Sequence, residues 1–251
     1  MIGAVIGDVV GSAYEFGPVH GYSLPLFLNG SRATDDSVLI AATAEAVRNG
    51  IPFDIAYRTW FWKFRHSGFS SGFHNWCLDE GDPGESDGNG AALRGIACGY
   101  LAGSLDEAVD LAFSSAICSH SYDAARYSQA VAISVYMAKS GFDYFDVVGQ
   151  INELTRIQIV APDVDAIHLQ SINTSRADET VPLAIWIGLV EQDDFVNVLR
   201  RGIYVGGDVD TILAIACGIA EHRVAIPDDI RREALRRVPG EILDVILREC
   251  V

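Results

Sequence analysis

Two short acidic clusters, each followed directly by an apolar run, constrain the fold of this chain most. The first cluster is Thr-Asp-Asp-Ser at 34–37, and the second is Gly-Gly-Asp-Val-Asp-Thr at 206–211. The runs that follow them, 38–42 and 212–216, are wholly apolar and predict buried helices. The chain therefore places carboxylates at the starts of two core helices, where an unpaired charge is costly.

Two interpretations fit these clusters. Thr and Asp are favoured helix caps, and a carboxylate suits the positive N-terminal end of a helix. One cap needs only one side chain, however, and each cluster offers two carboxylates and a threonine. Such oxygens are the hard ligands that Mg²⁺, Mn²⁺ and Ca²⁺ prefer, so helix capping and a divalent metal site are both open at this point.

Helical patterns dominate the chain. They cover about 2–14, 36–49, 53–65, 90–103, 106–117, 121–140, 142–154, 180–190, 193–203, 210–222, 228–236 and 240–249. Only 157–160 and 167–169 are weak strand candidates, and no alternation of strand and helix patterns indicates a doubly wound sheet. We predict an all-α fold, a compact single-domain helical bundle that spans residues 1–251.

Two long segments between the helical patterns, 15–33 and 66–89, are rich in glycine, serine and aromatic residues. Loops of this length in a compact domain are commonly functional. These segments carry too many aromatic side chains for plain linkers, so we predict that they form the walls of a pocket. The aromatic residues concerned are Phe16, Tyr22, Phe27, Phe69, Phe73 and Trp76.

The bulk composition excludes some classes of partner. A formal net charge of −16 argues against a nucleic-acid-binding surface, which needs a basic face. No apolar run reaches the ~18 residues of a membrane helix, so we expect no membrane partner. No basic segment precedes the first apolar residues, which indicates a core helix rather than a signal peptide. Five scattered cysteines without a CxxC pair fit a reducing cytoplasm.

The first helical pattern carries a charged residue, Asp8, between Gly7 and Gly11. Two glycines four positions apart give one helical face a smooth surface that permits close packing. We predict that Asp8 has a structural role and accepts hydrogen bonds from a neighbouring segment. Glu15, at the end of this pattern, is either an ordinary surface residue or, beside a metal, a ligand or base.

Two further motifs carry polar chemistry. Gly88-Asn89-Gly90 leads into a helical pattern, and the exposed N–H groups of a helix start favour anions such as phosphate, although the same tripeptide also makes ordinary turns. His120 follows Ser119 between two helical patterns. The histidines show no zinc-like spacing, and no catalytic triad can be assembled from spacing alone.

Taken in this order, the motifs resemble the ADP-ribosylglycohydrolase family, which includes dinitrogenase reductase-activating glycohydrolases and ADP-ribosyl-acceptor hydrolases. The resemblance covers nearly the whole chain, and the two acidic motifs together are specific. Leu93 stands where methionine is usual. The matching positions are Gly7, Asp8, Gly11, Glu15, 34–37, Gly88, Asn89, Gly90, Arg94, Ser119, His120 and 206–211.

The resemblance implies two Mg²⁺ or Mn²⁺ ions in a central cleft of the bundle. It assigns the metal ligands to Thr34, Asp35, Asp36, Asp208, Asp210 and Thr211. As our own hypothesis, Asp35 or Asp36 is a metal ligand with a general-base role, and Glu15 is a second catalytic candidate. The resemblance places substrate contacts at Gly72, Phe73, Gly88, Asn89, Gly90 and His120.

Asp87 departs from the family pattern, in which many relatives carry an aromatic or neutral residue before Gly-Asn-Gly. A carboxylate beside a loop that binds phosphate is unfavourable. Either Asp87 points away from the ligand, or it faces the cleft and helps to bind a cationic leaving group such as arginine. We include it among the predicted substrate-binding residues.

The activity implied is hydrolysis of the glycosidic bond between ADP-ribose and an acceptor, with the cations orienting the distal ribose and activating water. The acceptor is a protein or a small molecule, with nucleic acid as a further alternative. Two other interpretations stay open: another binuclear metallohydrolase such as a phosphoesterase, and a non-catalytic relative that binds ADP-ribose. The absence of histidine from both clusters argues against a phosphoesterase. The full set of predicted metal ligands argues against a non-catalytic relative.

Overall fold

Fourteen α-helices make up the regular structure in the computed structural model, which describes residues 1–17, 21–79, 84–170, 173–191 and 193–248. No strand occurs in these ranges, where two isolated bridges, Ser86–His120 and Gly88–Arg176, tie loops together. The all-α prediction is confirmed. The helices are α1 (Ile2–Gly11), α2 (Asp35–Asn49), α3 (Phe53–Phe64), α4 (Ser71–Asp79), α5 (Gly90–Leu101), α6 (Leu105–Ile117), α7 (Tyr122–Lys139), α8 (Tyr144–Thr155), α9 (Val164–Gln170), α10 (Ala177–Val190), α11 (Phe195–Val205), α12 (Val209–Ala220), α13 (Asp228–Leu235) and α14 (Gly240–Ile246).

The closest helix pair joins α1 to α12 through glycine. A Cβ atom added at Gly7 would lie 2.1 Å from the carbonyl oxygen of Leu213, and one added at Gly11 would lie 2.4 Å from Cα of Asp210. The two backbones are therefore in direct contact, as the smooth face of the first helical pattern predicts. This contact places Asp8 of α1 beside the start of α12.

Both apolar runs behind the acidic clusters lie in the core. Residues 38–42 of α2 and 212–216 of α12 are buried throughout. α12 packs against α1, α5, α7, α10 and α11, so it is the central helix of the bundle. The starts of α2 and α12, with their carboxylates, consequently lie deep between neighbouring helices. None of the helices in the described ranges is both long and apolar enough to cross a membrane.

The structure corrects two of the sequence expectations. The segment 66–89, predicted as a loop, contains α4, whose buried Phe73, Trp76 and Cys77 lie on one helical face. Its serines and glycines hide this helical period. The strand predicted at 167–169 is wrong, because those residues belong to α9, and 157–160 forms no strand either. An alternation of three residues is too short to distinguish a strand from a helix.

Candidate metal centre

Asp8 connects α1 to the first turn of α2. Its carboxylate is fully buried and accepts hydrogen bonds from the backbone N–H of Thr34 (3.0 Å), the hydroxyl of Thr34 (2.6 Å), the backbone N–H of Ser37 (3.1 Å) and the hydroxyl of Ser37. Burial raises the pKa of Asp8, and these four bonds oppose the shift. The structural role predicted for Asp8 is therefore confirmed.

The structure brings the two acidic clusters together at one place. Oxygen atoms of Asp8, Asp36 and Asp210 lie within 4.8 Å of one another, and those of Glu15, Asp208 and Asp210 form a second group of the same size. Asp210 belongs to both groups. The hydroxyl of Thr211 donates to Oδ2 of Asp36 at 2.9 Å and so links α12 to α2 across 175 positions of sequence.

These side chains form a donor set that suits a hard divalent cation, because every available ligand atom is an oxygen. Asp8 is the least available of them, since its carboxylate already accepts four hydrogen bonds. The hydroxyl of Thr34 donates to Asp8 and accepts from the backbone N–H of Asp36, which is helix capping. All of the ligand roles stay predictions. Asp36, Asp210 and Thr211 line a shared cleft, whereas Thr34 does not.

The electrostatics of the cluster favour a bound positive charge. Burial raises the pKa of Asp35 to about 7, with repulsion from Asp8 as the next cause. Burial also raises the pKa of Asp36 and Asp210 well above their usual range, and repulsion from Asp35 acts on Asp36 while repulsion from Asp36 acts on Asp210. Within the described ranges no arginine or lysine lies within 4.0 Å of these three carboxylates. A cation would relieve this repulsion.

The metal-free protein should therefore lose stability as its carboxylates ionise. Because the pKa of Asp35 is raised in the folded state, protonated Asp35 stabilises the folded protein at low pH. This stabilisation is lost as the pH rises through about 7. We expect this residue alone to remove about 1 kcal/mol of unfolding free energy between pH 6 and 8. Urea unfolding of metal-free wild type and Asp35→Asn at both pH values measures it.

The comparison with Asp35→Asn is needed because two histidines have the opposite effect and increase stability as the pH rises. Burial lowers the pKa of His120 and His222, so protonation of the unfolded chain near pH 6 favours unfolding. The difference between wild type and variant isolates the carboxylate. A wild type that gains stability relative to Asp35→Asn from pH 6 to 8 would contradict the assignment.

The carboxylates open into a cleft with a volume of about 620 Å³. Every catalytic, metal-ligating or substrate-binding residue predicted from the sequence lines this cleft except Thr34, which is buried. Of the aromatic residues predicted as pocket walls, Phe16 and Phe73 line the cleft, whereas Tyr22, Phe27, Phe69 and Trp76 do not. Gly68, Ser70 and Ser86 also come from the predicted wall segments. Sequence reasoning gave no site role to the remaining lining residues, which are Leu39, Arg94, Ser175 and Arg176.

Glu15 is held at the edge of the second acidic cluster by its neighbour. The backbone N–H of Phe16 donates to the carbonyl of Gly207 at 2.8 Å. Glu15 is exposed as a whole residue, but its carboxylate is partly desolvated. This desolvation raises the pKa of Glu15, and repulsion from Asp208 raises it further. The segment predicted as a pocket wall thus begins with a carboxylate directed at the second acidic cluster.

Asn89 connects the glycine-rich loop to the second cluster. Its side-chain amide donates to Oδ2 of Asp208 at 3.0 Å and to the hydroxyl of Thr180 at 3.2 Å. Its backbone N–H donates to the carbonyl of Ser175 at 2.8 Å. Because the side chain is used in this way, α5 begins without a side-chain cap.

Asp87 has partners on the loop itself. Its Oδ1 accepts a hydrogen bond from the hydroxyl of Ser121 at 2.6 Å, and its Oδ2 lies 3.7 Å from Nη1 of Arg176. Its backbone carbonyl accepts from the N–H of Ala177 at 2.9 Å. These contacts fasten the loop to the starts of α7 and α10 and compensate part of the carboxylate charge.

His120 forms a neutral polar part of the cleft wall. Its Nδ1 lies 2.9 Å from the hydroxyl of Ser119, and its ring is buried. Burial lowers the pKa of His120 well below its usual range, and the nearby charge of Arg94 lowers it further. The imidazole is consequently uncharged at neutral pH.

The fold and the site together define an all-α protein with a carboxylate-rich cleft at the starts of two core helices. The sequence profile described as ADP-ribosylglycohydrolase matches residues 1–249, so the chain belongs to the ADP-ribosylglycohydrolase family. A solved structure described as an ADP-ribosylglycohydrolase-related protein complex is similar in fold, with a TM-score of 0.73 at 18 % identity over 98 % of this chain and 95 % of that chain. No curated protein matches the sequence.

Proposed function

We propose that the protein is a metal-dependent hydrolase that cleaves the glycosidic bond between ADP-ribose and an acceptor on a protein or small molecule. Family membership supports an ADP-ribosylglycohydrolase-type hydrolase. The observation that carries the metal dependence is the convergence of the two acidic clusters, whose oxygens approach within 4.8 Å in one cleft. Among the described residues no arginine or lysine lies within 4.0 Å of these carboxylates, which supports binding of Mg²⁺ or Mn²⁺.

Two ions are proposed, held by oxygens from both clusters. The first cluster contributes Asp35 and Asp36, and the second contributes Asp208, Asp210 and Thr211, all of which line the cleft. When bound, divalent cations would polarise the hydroxyls of a sugar and lower the pKa of a water molecule. The remaining chemistry falls to side chains of the chain itself.

Hydrolysis breaks the bond between the anomeric carbon and the acceptor, joins the water oxygen to that carbon, and leaves the proton on the acceptor. We propose Asp35 or Asp36 as the base that accepts the water proton, because both line the cleft at the start of α2. Glu15 is the second candidate. The transition state carries positive charge on the sugar, and the negative field of the carboxylates around the cleft stabilises that charge.

The test is a panel of substrates with and without Mg²⁺: ADP-ribosyl-arginine, ADP-ribosyl-serine, O-acetyl-ADP-ribose and a phosphodiester. We expect release of ADP-ribose from at least one conjugate, only when the metal is present. Hydrolysis of the phosphodiester alone would favour a phosphoesterase. Tight binding of ADP-ribose without hydrolysis of any conjugate would favour a non-catalytic relative.

Chelation provides a measurement that does not depend on activity. A ligand that binds only the folded state stabilises it, by about 2.7 kcal/mol at a concentration 100 times its Kd. Metal-loaded protein should therefore melt at a lower temperature after EDTA treatment. An unchanged melting temperature, in protein shown by elemental analysis to have held metal, would count against the site.

Replacing Asp87 by Asn tests its role at the rim of the cleft. The structure gives Asp87 partners on the loop, so we expect Asp87→Asn to change ADP-ribose affinity by less than about threefold and to affect arginine-linked and serine-linked substrates equally. Asn retains an oxygen for Ser121 and loses only the exposed pairing with Arg176. Kinetics on both substrates measure this.

The matched control for this variant is Asp123→Asn, which removes an exposed carboxylate paired with Arg126 outside the cleft. A selective loss of the arginine-linked substrate in Asp87→Asn, absent from Asp123→Asn, would show instead that Asp87 binds a cationic leaving group.

A further inference from the structure

Arg94 places a permanent positive charge in the wall of the cleft. The side chain lies on α5, one turn after Gly90, and is fully buried. Its Nη1 donates to the carbonyl of Ser115 at 2.6 Å, whereas Nε and Nη2 have no hydrogen-bond partner among the described residues. Arginine stays protonated in proteins, so the guanidinium cannot escape this environment by losing a proton.

The surroundings of Arg94 supply little negative charge. No carboxylate oxygen of the described residues lies within 4.0 Å of it. The nearby thiols are neutral, because burial raises the pKa of Cys77 and Cys98 to about 12 and raises that of Cys118. The guanidinium carbon lies 4.1 Å from the ring centroid of Tyr57 and 5.8 Å from that of Phe73, and these contacts compensate less than burial of a charge costs.

The start of α5 adds to this positive field. The helix begins at Gly90 without a side-chain cap, since the amide of Asn89 is directed to Asp208. Space around the position of a Gly90 Cβ is open, and Gly90 and Arg94 both line the cleft. An uncapped N-terminus of a twelve-residue helix and an unpaired buried guanidinium on the same helix both favour an anion there.

We propose that Arg94 is a specificity-determining residue that makes the cleft prefer ligands with a phosphate or diphosphate ester over neutral ligands that carry the same sugar. This proposal rests on the proposed function, since it names the part of the ligand that the charge selects. Because the side chain is fully buried, it acts through its electric field across the cleft wall rather than by direct contact.

The test compares three ligands that differ in charge: ADP-ribose, ribose 5-phosphate and ribose. Their Kd values are measured by ligand-observed NMR on magnesium-loaded wild type, Arg94→Met and Arg94→Lys. We expect Arg94→Met to weaken ADP-ribose and ribose 5-phosphate by about tenfold or more and to change ribose by less than about twofold. Arg94→Lys keeps the charge and should retain most of the preference. Equal weakening of all three ligands, or none, would overturn the proposal.

A second measurement uses the wild type alone, so it holds even if Arg94→Met fails to fold. Pyrophosphate, added to metal-free protein at constant ionic strength, should shift the ring resonances of His120, which lies close to Arg94, in a saturable way. A shift no larger than that with sodium chloride would overturn the proposal. Failure of hydrolysis with this binding preserved would instead refute only the proposed function.

Discussion

Asp36→Asn and Asp210→Asn should each lose at least one metal equivalent and lower kcat by about 10³-fold or more. Each residue comes from a different helix, and Asp210 belongs to both groups of converging oxygens. Replacement by Asn keeps an oxygen for Thr211, which donates its hydroxyl to Asp36 and its backbone N–H to Asp210. The loss should therefore reflect missing charge rather than a missing hydrogen bond.

The same variants should be more stable than wild type once metal is removed. Burial and mutual repulsion raise the pKa of both carboxylates, so a neutral amide avoids the cost of ionising them at pH 8. Elemental analysis, kinetics and melting curves of metal-free protein check the three expectations, with the exposed Asp244→Asn as control. Retention of two metal equivalents in either variant would show that the ligand assignment is wrong.

Gly7→Ala should destabilise the protein by about 3 kcal/mol or more, the upper range for overpacking, because the added methyl group meets backbone rather than a side chain. The new Cβ would lie 2.1 Å from the carbonyl oxygen of Leu213, so α1 and α12 must move apart. Such movement displaces Asp8 relative to Asp210, and metal affinity should fall together with stability. Urea unfolding and metal titration measure the two effects.

Gly149→Ala is the matched control, since Gly149 is exposed in the interior of α8 and nothing lies within 4 Å of its added Cβ. There the substitution should stabilise the protein by about 0.5–1 kcal/mol through helix propensity alone. A Gly7→Ala variant as stable as Gly149→Ala would mean that the contact between α1 and α12 is looser than described.

The sequence predicts the buried runs behind the acidic clusters and the all-α class, because each of these features depends on residues that are neighbours in the chain. The packing face around Gly7 and Gly11 is predicted for the same reason. The helix that packs against this face is not predicted, because nothing in the first helical pattern identifies α12, which begins near residue 209. The sequence likewise predicts that Asp8 accepts hydrogen bonds, but it does not predict which residues donate them.

What the sequence misses depends on contacts between distant segments or on burial. Arg94 stands in a recognised motif, yet only the fold shows that its guanidinium is buried without a carboxylate. The contact of Arg176 with Asp87 spans two loops and leaves no local pattern. α4 escapes detection because the serines and glycines around Phe73 favour loops, and tertiary burial of its aromatic face overrides that preference.

The glycine contact between α1 and α12 also sets an order of events during protein synthesis. Gly7 meets Leu213, so α1 cannot reach its native partner until about 200 further residues have been translated. At 5–20 residues per second this interval is roughly 10–40 s. Throughout this interval the glycine face of α1 lacks its partner helix, although Thr34 and Ser37, which donate to Asp8, are already translated. A chain whose synthesis stops before α12 therefore lacks the central helix of the bundle.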